Sequence, residues 1–154
     1  MSDDAVLLEV EDDIATITLN DPERYNPWSI PIIEGLKDAL DEAREQQPRC
    51  LVIEGVGGAF SAGGDIDRMR EQIGDTPAYE RARLVENETT ATIQKVVRFP
   101  GPVIAKIDGA AAGVGANLAI ACDILLASER SFIMFAFTNV GVSVDGGTSG
   151  LLPK

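Results

Sequence analysis

The chain has 154 residues, of which 45% are hydrophobic, and this is enough for one globular domain with a buried core. It carries 25 acidic against 13 basic residues, and the net charge of −12 excludes binding to nucleic acids or anionic lipids through a basic face. Histidine is absent, which excludes Ser-His-Asp and Cys-His nucleophiles and argues against a zinc site.

The N-terminus is acidic and lacks the basic and apolar regions of a secretory signal, and no apolar run approaches the ~20 residues that span a bilayer. We therefore expect a cytoplasmic protein in which Cys50 and Cys122 are buried free thiols. Only 4 residues are lysines, and an acid-rich, lysine-poor surface suits a high-salt cytoplasm. An ordinary acidic protein is the alternative.

The first third of the chain carries a hairpin pattern and then a helix pattern. Apolar residues alternate over Val6–Glu11 and 14–20, which predicts a β-hairpin. Ser29 is predicted to cap a helix that runs to Gln47, before Pro48 ends it. The apolar positions of this helix follow helical spacing and are expected in the core: Ile32, Ile33, Leu36, Ala39, Leu40 and Ala43.

The rest of the chain alternates strands with helices. A short buried strand at 50–55 precedes a glycine-rich loop at 55–64 and a helix from about Asp65. A second helix is predicted at 78–98, and a tight loop from Gly109 leads into a third. Further strands are predicted at 102–108 and 123–128, with 131–137 as an option, and a turn at 143–149. This alternation predicts an α/β fold with crossover units, in a single domain over residues 1–154.

Two segments carry almost no side-chain chemistry: the first glycine-rich segment (residues 60–69, FSAGGDIDRM) and the second glycine-rich segment (residues 108–124, DGAAAGVGANLAIACDI). Gly109, Gly113 and Gly115 fit a spacing used for dinucleotide phosphates, but the match is weak. Small residues also let a helix pack closely on a sheet. A third interpretation is that the backbone itself is functional, because glycine lets a ligand approach the main chain. Two N–H groups from separate segments, one at a helix N-terminus, would then form an oxyanion hole.

The motifs AFSAGGDIDRM and VIAKIDGAAAGVGANLAIACDILLAS resemble the crotonase (enoyl-CoA hydratase/isomerase) superfamily, and LNDPERYNPWS resembles its N-terminal loop. FAFTNVGVSVDGGTSGLLPK is similar to the subgroup of 1,2-epoxyphenylacetyl-CoA isomerases and related enoyl-CoA isomerases. The resemblance implies a spiral of ββα units. It also implies that the chain is truncated before the C-terminal helical trimerisation region, so that apolar surface on the helices after Ala78 is exposed. A homo-oligomer, as a trimer or a dimer of trimers, is therefore expected.

By motif position, the resemblance assigns the two N–H groups that hold the thioester oxygen of an acyl-CoA to Gly64 and Val114. Arg24 would reach a phosphate of coenzyme A, although a solvated arginine is the alternative, and Asp65 is expected to cap the following helix. Coenzyme A is part of the substrate, so no separate cofactor and no metal is implied. The substrate-binding residues implied by the resemblance are Arg24, Ala62, Gly63, Asp65, Ile66 and Asn117.

A hydratase of this superfamily uses two glutamates, and neither is present. Asn117 stands at one position, and Phe137 or a neighbour stands at the other. Asp145 is the carboxylate that remains, and in the resembled isomerases this aspartate faces the acyl chain. Moving a double bond needs one base, so Asp145 is predicted to be catalytic, with Phe135 and Phe137 as a nonpolar wall that raises its pKa. The alternative is that Asp145 only shapes a turn.

Three rival functions stay open at this point. Asp145 could attack as a nucleophile, as in aryl-CoA dehalogenases, although a histidine base for the second half-reaction is absent. The chain could be a non-catalytic acyl-CoA-binding protein, since both glutamates are missing. It could also be an enoyl-CoA hydratase, against which Asn117 argues. The interpretation preferred here is an enoyl-CoA isomerase.

Overall fold

An antiparallel hairpin opens the fold of the computed structural model, which describes residues 4–75, 77–140, 143–144 and 146–152. Strands β1 (Val6–Glu11) and β2 (Ile14–Leu19) pair from Val6 opposite Leu19 to Glu11 opposite Ile14. Asp12 and Asp13 form the turn with φ of 49° and 62°, the left-handed conformation that two-residue hairpin turns require. The predicted hairpin is confirmed.

Helix α1 (Ile30–Gln46) follows a short strand, β3 (Pro27–Trp28). Ser29 occupies the N-cap position, but its side chain makes no capping hydrogen bond, so the predicted cap is confirmed in position only. Gln47 ends the helix in the left-handed conformation. The helix packs on β1, β2 and the later helix α4 (Ala91–Val97). The six predicted core positions are all buried, so the helical spacing identified this face correctly: Ile32, Ile33, Leu36, Ala39, Leu40 and Ala43.

The main sheet has the strand order β1-β2-β4-β7-β9, with β4 at Cys50–Gly55, β7 at Val103–Ile107 and β9 at Ile124–Ala127. Beyond the hairpin every pairing in this sheet is parallel. Parallel neighbours need crossover connections, and helices supply those between β2 and β4, β4 and β7, and β7 and β9. The predicted α/β class is confirmed.

Short strands follow the main-sheet strands and build a second layer of pairing. Strand β5 (Ala59–Ser61) follows β4, β8 (Ala110–Ala112) follows β7, and β10 (Phe132–Met134) follows β9; they form a parallel sheet of order β10-β8-β5. Strand β6 (Gly63–Gly64) pairs with β3. This repeat of two strands and a helix is the ββα spiral that the resemblance implied.

The sequence prediction of plain loops at 55–64 and from Gly109 is therefore wrong. Both stretches contain strands of only two or three residues, which apart from Phe60 are Ala, Gly and Ser, so they lack the run of β-branched and aromatic residues by which strands are recognised. The optional strand at 131–137 is shorter than predicted, because only Phe132–Met134 pairs and a 3₁₀ turn occupies Phe137–Val140.

The remaining helices lie between the strands. A helical run from Ala78 to Val97 contains a π-helical segment at Glu86–Thr90, close to the predicted helix at 78–98. Among the described residues, no helix has the length and apolar character needed to cross a membrane. The other helical elements are α2 (Ile66–Asp75), α3 (Ala78–Val85), α5 (Val114–Ile120), α6 (Thr148–Leu151) and a 3₁₀ turn at Pro22–Arg24.

The last strand of each sheet leaves apolar side chains exposed. In β9, the side chains of both faces are exposed, and Leu126 has 55% of its surface accessible. The three residues of β10 are exposed as well. The helices after Ala78 also expose apolar side chains, as expected: Tyr79, Val85 and Val97.

Candidate active site

The first glycine-rich segment ends in a capped helix. Asp65 lies between β6 and α2, and its Oδ1 accepts a hydrogen bond from the backbone N–H of Arg68 at 3.4 Å. The same oxygen accepts a second hydrogen bond from Nη2 of Arg24 at 2.9 Å. The expected cap at Asp65 is confirmed, and Arg24 ties the loop after β2 to the start of α2.

This arrangement sets the charge of Asp65. Partial burial by itself would raise the pKa of its carboxyl, but the hydrogen bond from Arg24 and those from backbone N–H groups outweigh it, so the pKa is lowered. Asp65 is therefore a carboxylate at neutral pH. It also raises the pKa of Arg24, whose side chain stays 46% exposed and lies 3.7 Å from the carboxylate of Asp21.

Asn26, in the loop before β3, supports the first glycine-rich segment through hydrogen bonds. This side chain is completely buried and has a left-handed backbone with φ of 54°. Its Nδ2 donates hydrogen bonds of 2.9 Å to the carbonyl oxygens of Val56 and Ala59, and its Oδ1 accepts one from the N–H of Asp21 at 2.8 Å. Nδ2 also donates to the carbonyl oxygen of Phe60 at 3.3 Å, so one amide engages four backbone groups at the entry to this segment.

Ser61 continues the same network. Its hydroxyl is buried, donates to the carbonyl oxygen of Asn26 at 2.7 Å and accepts the N–H of Gly63 at 3.2 Å. A Cβ placed on Gly115 would lie 2.6 Å from Cβ of Ser61. Ser61 therefore shapes the first glycine-rich segment and packs against the first turn of α5.

The two glycine-rich segments meet backbone to backbone. A Cβ on Gly63, which has φ of +87°, would lie 2.4 Å from the carbonyl oxygen of Ala112. Gly113 also has a positive φ, of +50°, but open space surrounds its Cβ position, so its glycine serves conformation and not packing. The residues that follow are Gly64, which is half-buried, and Val114, the first residue of α5, whose N–H has no partner within the helix.

Two further predicted substrate contacts lie at the surface of the first glycine-rich segment. Ala62 is exposed, and its N–H donates to the carbonyl oxygen of Tyr25 at 2.8 Å. Ile66 begins α2 and is 47% exposed. An accessible apolar and backbone surface thus borders the point where the segments meet.

Asn117 is buried in α5 and faces the turn that follows the 3₁₀ segment. Its Oδ1 accepts a hydrogen bond from the hydroxyl of Thr148, which is also completely buried. A Cβ on Gly146 would lie 2.7 Å from Nδ2 of Asn117. Asp145, the predicted base, lies outside the described residues. Of its predicted wall, Phe137 is buried and Phe135 is 37% exposed.

Sequence reasoning missed Asn26 and Ser61. Each lies in one of the motifs named above, but nothing in the sequence indicates that the two side chains interact. They are 35 residues apart, and no local spacing connects them. Asn26 carries the stronger signal, since an Asn between an aromatic residue and a proline is a candidate for a left-handed turn.

With this geometry in place, comparison with known proteins identifies the family. Residues 9–154 match the model of the enoyl-CoA hydratase/isomerase family. The chain belongs to this family. The topology described above is the α/β crotonase fold. A crystal structure of an enoyl-CoA hydratase from Polaromonas sp. JS666 superimposes with a TM-score of 0.87 at 33% identity, over 96% of this chain and 57% of that one.

Two curated relatives of the chain are named as isomerases. It is 36% identical to trans-2-decenoyl-[acyl-carrier-protein] isomerase of Streptococcus mutans, over 97% of this chain and 57% of the relative. It is 35% identical to 1,2-epoxyphenylacetyl-CoA isomerase of Escherichia coli, again over 97% of this chain and 57% of the relative. The chain therefore spans little more than half the length of these relatives.

Proposed function

We propose that the protein is an enoyl-thioester isomerase that holds the thioester oxygen of its substrate between the backbone N–H groups of Gly64 and Val114. The observation that carries this proposal is the contact of the two glycine-rich segments, where Gly63 faces Ala112 and Gly115 faces Ser61 at distances that leave no room for a Cβ. Each proposed donor belongs to the residue next to one of these contacts. A small movement of either segment would separate the donors.

The chemistry follows from where charge develops. Removal of a proton next to the thioester carbonyl turns the thioester into an enolate, and negative charge builds on its oxygen. Two fixed N–H donors stabilise this charge as it forms, and one such donor is typically worth about 3–4 kcal/mol of the activation barrier. Backbone donors need close approach and no side chain, which accounts for the glycine and alanine content of both segments.

Asp145 is the proposed base. An isomerase removes a proton from one carbon and returns a proton two carbons away, so one carboxylate can perform both transfers and no water is consumed. A hydratase must activate water and also deliver a proton. Asn117 occupies the position of one hydratase glutamate and cannot exchange protons at neutral pH, which favours isomerisation over hydration. The two relatives named as isomerases agree with this preference.

We infer that the acyl carrier lies along the first glycine-rich segment. Ala62, Asp65 and Ile66 border the proposed oxyanion hole, and Arg24 could leave its ion pair with Asp65 to meet a phosphate. Family membership implies acyl-CoA substrates, while the Streptococcus mutans relative is named for an acyl-carrier-protein substrate. Both carriers hold the acyl group as a thioester, so both belong in the assay.

The deciding experiment is mass spectrometry of a 3-enoyl-CoA, and of the matching acyl-carrier-protein thioester, incubated with the protein in heavy water. We expect the substrate to take up deuterium and to shift its double bond without adding water. Both changes should be absent with Asp145→Asn. Asp38→Asn is the matched control, because Asp38 is an exposed aspartate on α1, outside both glycine-rich segments. Addition of water would overturn the proposal in favour of a hydratase, and no change with wild-type protein would favour a non-catalytic thioester-binding protein.

Assembly and location are proposals as well. We expect a homo-oligomer because strands β9 and β10 expose apolar side chains at the edges of both sheets. Sedimentation velocity over a range of protein concentrations would test this, and a monomer throughout would contradict it. A cytoplasmic location stays a prediction; one relative at 33% identity, from Xenopus laevis, is named as mitochondrial.

A further inference from the structure

The hydrogen bond between Thr148 and Asn117 joins two residues that are 31 positions apart in the chain. Both side chains are completely buried. Asn117 belongs to α5, which packs against the main sheet through β7 and against the second sheet through β5 and β8. The bond therefore connects the turn at residues 146–148 to a helix that packs against both sheets next to the proposed oxyanion hole.

Gly146, at the other end of this turn, also lies against the side chain of Asn117. Gly146 is buried, has φ of +60°, and leaves so little space that a Cβ would lie 2.7 Å from Nδ2 of Asn117. The amide of Asn117 thus has its oxygen on Thr148 and its nitrogen against Gly146. Only an uncharged side chain of this length suits the place, since a buried carboxylate would be strongly desolvated.

The opposite side of the turn is open. A cleft of ≈ 360 Å³ lies between α4 and the segment from Gly146 to Leu151, and its lining includes Ile93 and Val97. Helix α6 is only 4 residues long, and the bonds from the N–H groups of Gly150 and Leu151 to Gly147 are local. Among the described residues, the contacts of the turn with α5 and of Leu151 with the hydrophobic core connect this segment to the rest of the fold.

We propose that Asn117 is a positioning residue that fixes the place of Asp145 through Thr148 and Gly146. The proposal rests on the proposed function, in which Asp145, the residue before Gly146, is the base. A proton transfer between carbon atoms depends steeply on the position of the base, and misplacement by about 1 Å can lower the rate roughly 100-fold. In this proposal, Asn117 occupies the position of a hydratase glutamate and instead holds the turn that carries the base, Asp145.

The test uses a matched pair at Thr148. Thr148→Val keeps the shape and removes the hydroxyl, whereas Thr148→Ser keeps the hydroxyl and removes a methyl group. We expect kcat for isomerisation to fall at least 10-fold in Thr148→Val, with KM unchanged within a factor of two, because the thioester is held elsewhere. Thr148→Ser should retain most of the activity. A structural role alone would affect both variants according to their stability and would not separate kcat from KM.

A second pair of variants tests the contact between Asn117 and the turn by changing glycines of the turn. Gly146→Ala would push the turn away from Asn117, whereas Gly147→Ala, at the next residue and also at a positive φ (+82°), places a methyl group in open space. We expect a loss of kcat only in the first, and this pair decides the question if Thr148→Val fails to fold. Unchanged kcat in Thr148→Val and Gly146→Ala, while Asp145→Asn is inactive, would overturn the positioning role and leave the proposed function intact. Activity retained in Asp145→Asn would overturn the proposed function itself.

Discussion

The Cα of Gly63 faces the carbonyl oxygen of Ala112 so closely that a Cβ built on the glycine would lie 2.4 Å from that oxygen. Neither partner can yield cheaply, because the obstacle is backbone and both residues belong to or border paired strands. The contact fixes the distance between the two glycine-rich segments. Any function that uses N–H groups from both segments depends on it.

Gly63→Ala should therefore reduce both stability and activity. A left-handed backbone disfavours alanine by about 1–2 kcal/mol, and overpacking adds about 1–3 kcal/mol. Gly58→Ala is the matched control, because Gly58 has φ of +84° and open space around its Cβ position. Gly58→Ala should lose only the stability that corresponds to the strained backbone conformation, without the overpacking contribution. Urea unfolding and isomerase assays of both variants check this, and equal losses would show that the contact with Ala112 has no special weight.

The two cysteines should differ sharply in reactivity. Burial, with a smaller contribution from the carboxylate of Asp123, raises the pKa of the Cys122 thiol to about 12. Its Sγ also donates to the carbonyl oxygen of Leu118 at 3.3 Å. Cys50 is half-buried at the start of β4, so the expectation of two buried thiols is confirmed for Cys122 and wrong for Cys50. We expect iodoacetamide at pH 8 to modify Cys50 in the folded protein and Cys122 only after unfolding, as mass spectrometry of peptides would show.

Cys50→Ser provides the control for that experiment. The folded variant should show no rapid labelling, while the unfolded variant should take up one label at Cys122. Rapid labelling of Cys122 in the folded protein would mean that the end of α5 opens readily. Such opening would not fit a helix whose first residue is proposed to hold the substrate.

The regular helices and strands were predictable from sequence because their apolar side chains recur with helical or alternating spacing. The spacing of Ile32, Leu36 and Leu40 identified α1 and its buried face, and alternation identified the hairpin. The short strands β5, β6 and β8 were missed because their position comes from neighbouring strands, and Ala and Gly have no strand signal of their own.

The candidate site was predictable only in part, for a similar reason. Motif position could nominate Gly64 and Val114, but it could not show that Gly63 touches Ala112, since tertiary packing decides such contacts. The role of Asn26 depends on four backbone groups between residues 21 and 60, which no local pattern connects. The bond between Asn117 and Thr148 is likewise a product of the fold.

The exposed ion pair of Asp108 with Arg130 should make stability depend on pH in the acid range. Hydrogen bonds from Arg130 and then from Ser128 lower the pKa of Asp108 to about 2, below the ~3.9 of an unperturbed aspartate. A carboxyl with a lowered pKa stabilises the folded state above its unfolded pKa, and this stabilisation disappears as pH falls through the folded value. Asp108→Asn should therefore be less stable than wild type above about pH 4, and the difference should shrink as the pH falls toward 2.

Urea unfolding of both proteins at several pH values and salt concentrations would measure the effect of Asp108. Salt should weaken it, since the pair lies at the surface. Asp67→Asn is the control: Asp67 contacts Arg70 at 3.4 Å, and both side chains are about three-quarters exposed, so little change is expected. A stability difference for Asp108→Asn that persists unchanged at pH 2 would contradict the ion-pair explanation.

Asn26→Asp should damage the site without changing its shape. The substitution replaces the Nδ2 donor with an oxygen, which leaves the buried carbonyls of Ala59 and Phe60 and the partly buried carbonyl of Val56 facing an acceptor. Each buried group left unsatisfied destabilises by about 1–3 kcal/mol, and more where a charge is involved. We expect a loss of several kcal/mol in urea unfolding, together with a lower kcat, since this loop supports the first glycine-rich segment.

Asn20→Asp separates this effect from a general effect of added negative charge on an acidic protein. The Nδ2 of Asn20 also donates to a backbone carbonyl, that of Asp4 at 2.9 Å, but the bond is exposed, so water can replace the lost donor. Asn20→Asp should therefore cost less than about 1 kcal/mol and leave kcat unchanged. If the two substitutions proved equally mild, the first glycine-rich segment would have to be held by Ser61 and the pairing of β3 with β6, and Asn26 would be dispensable for catalysis.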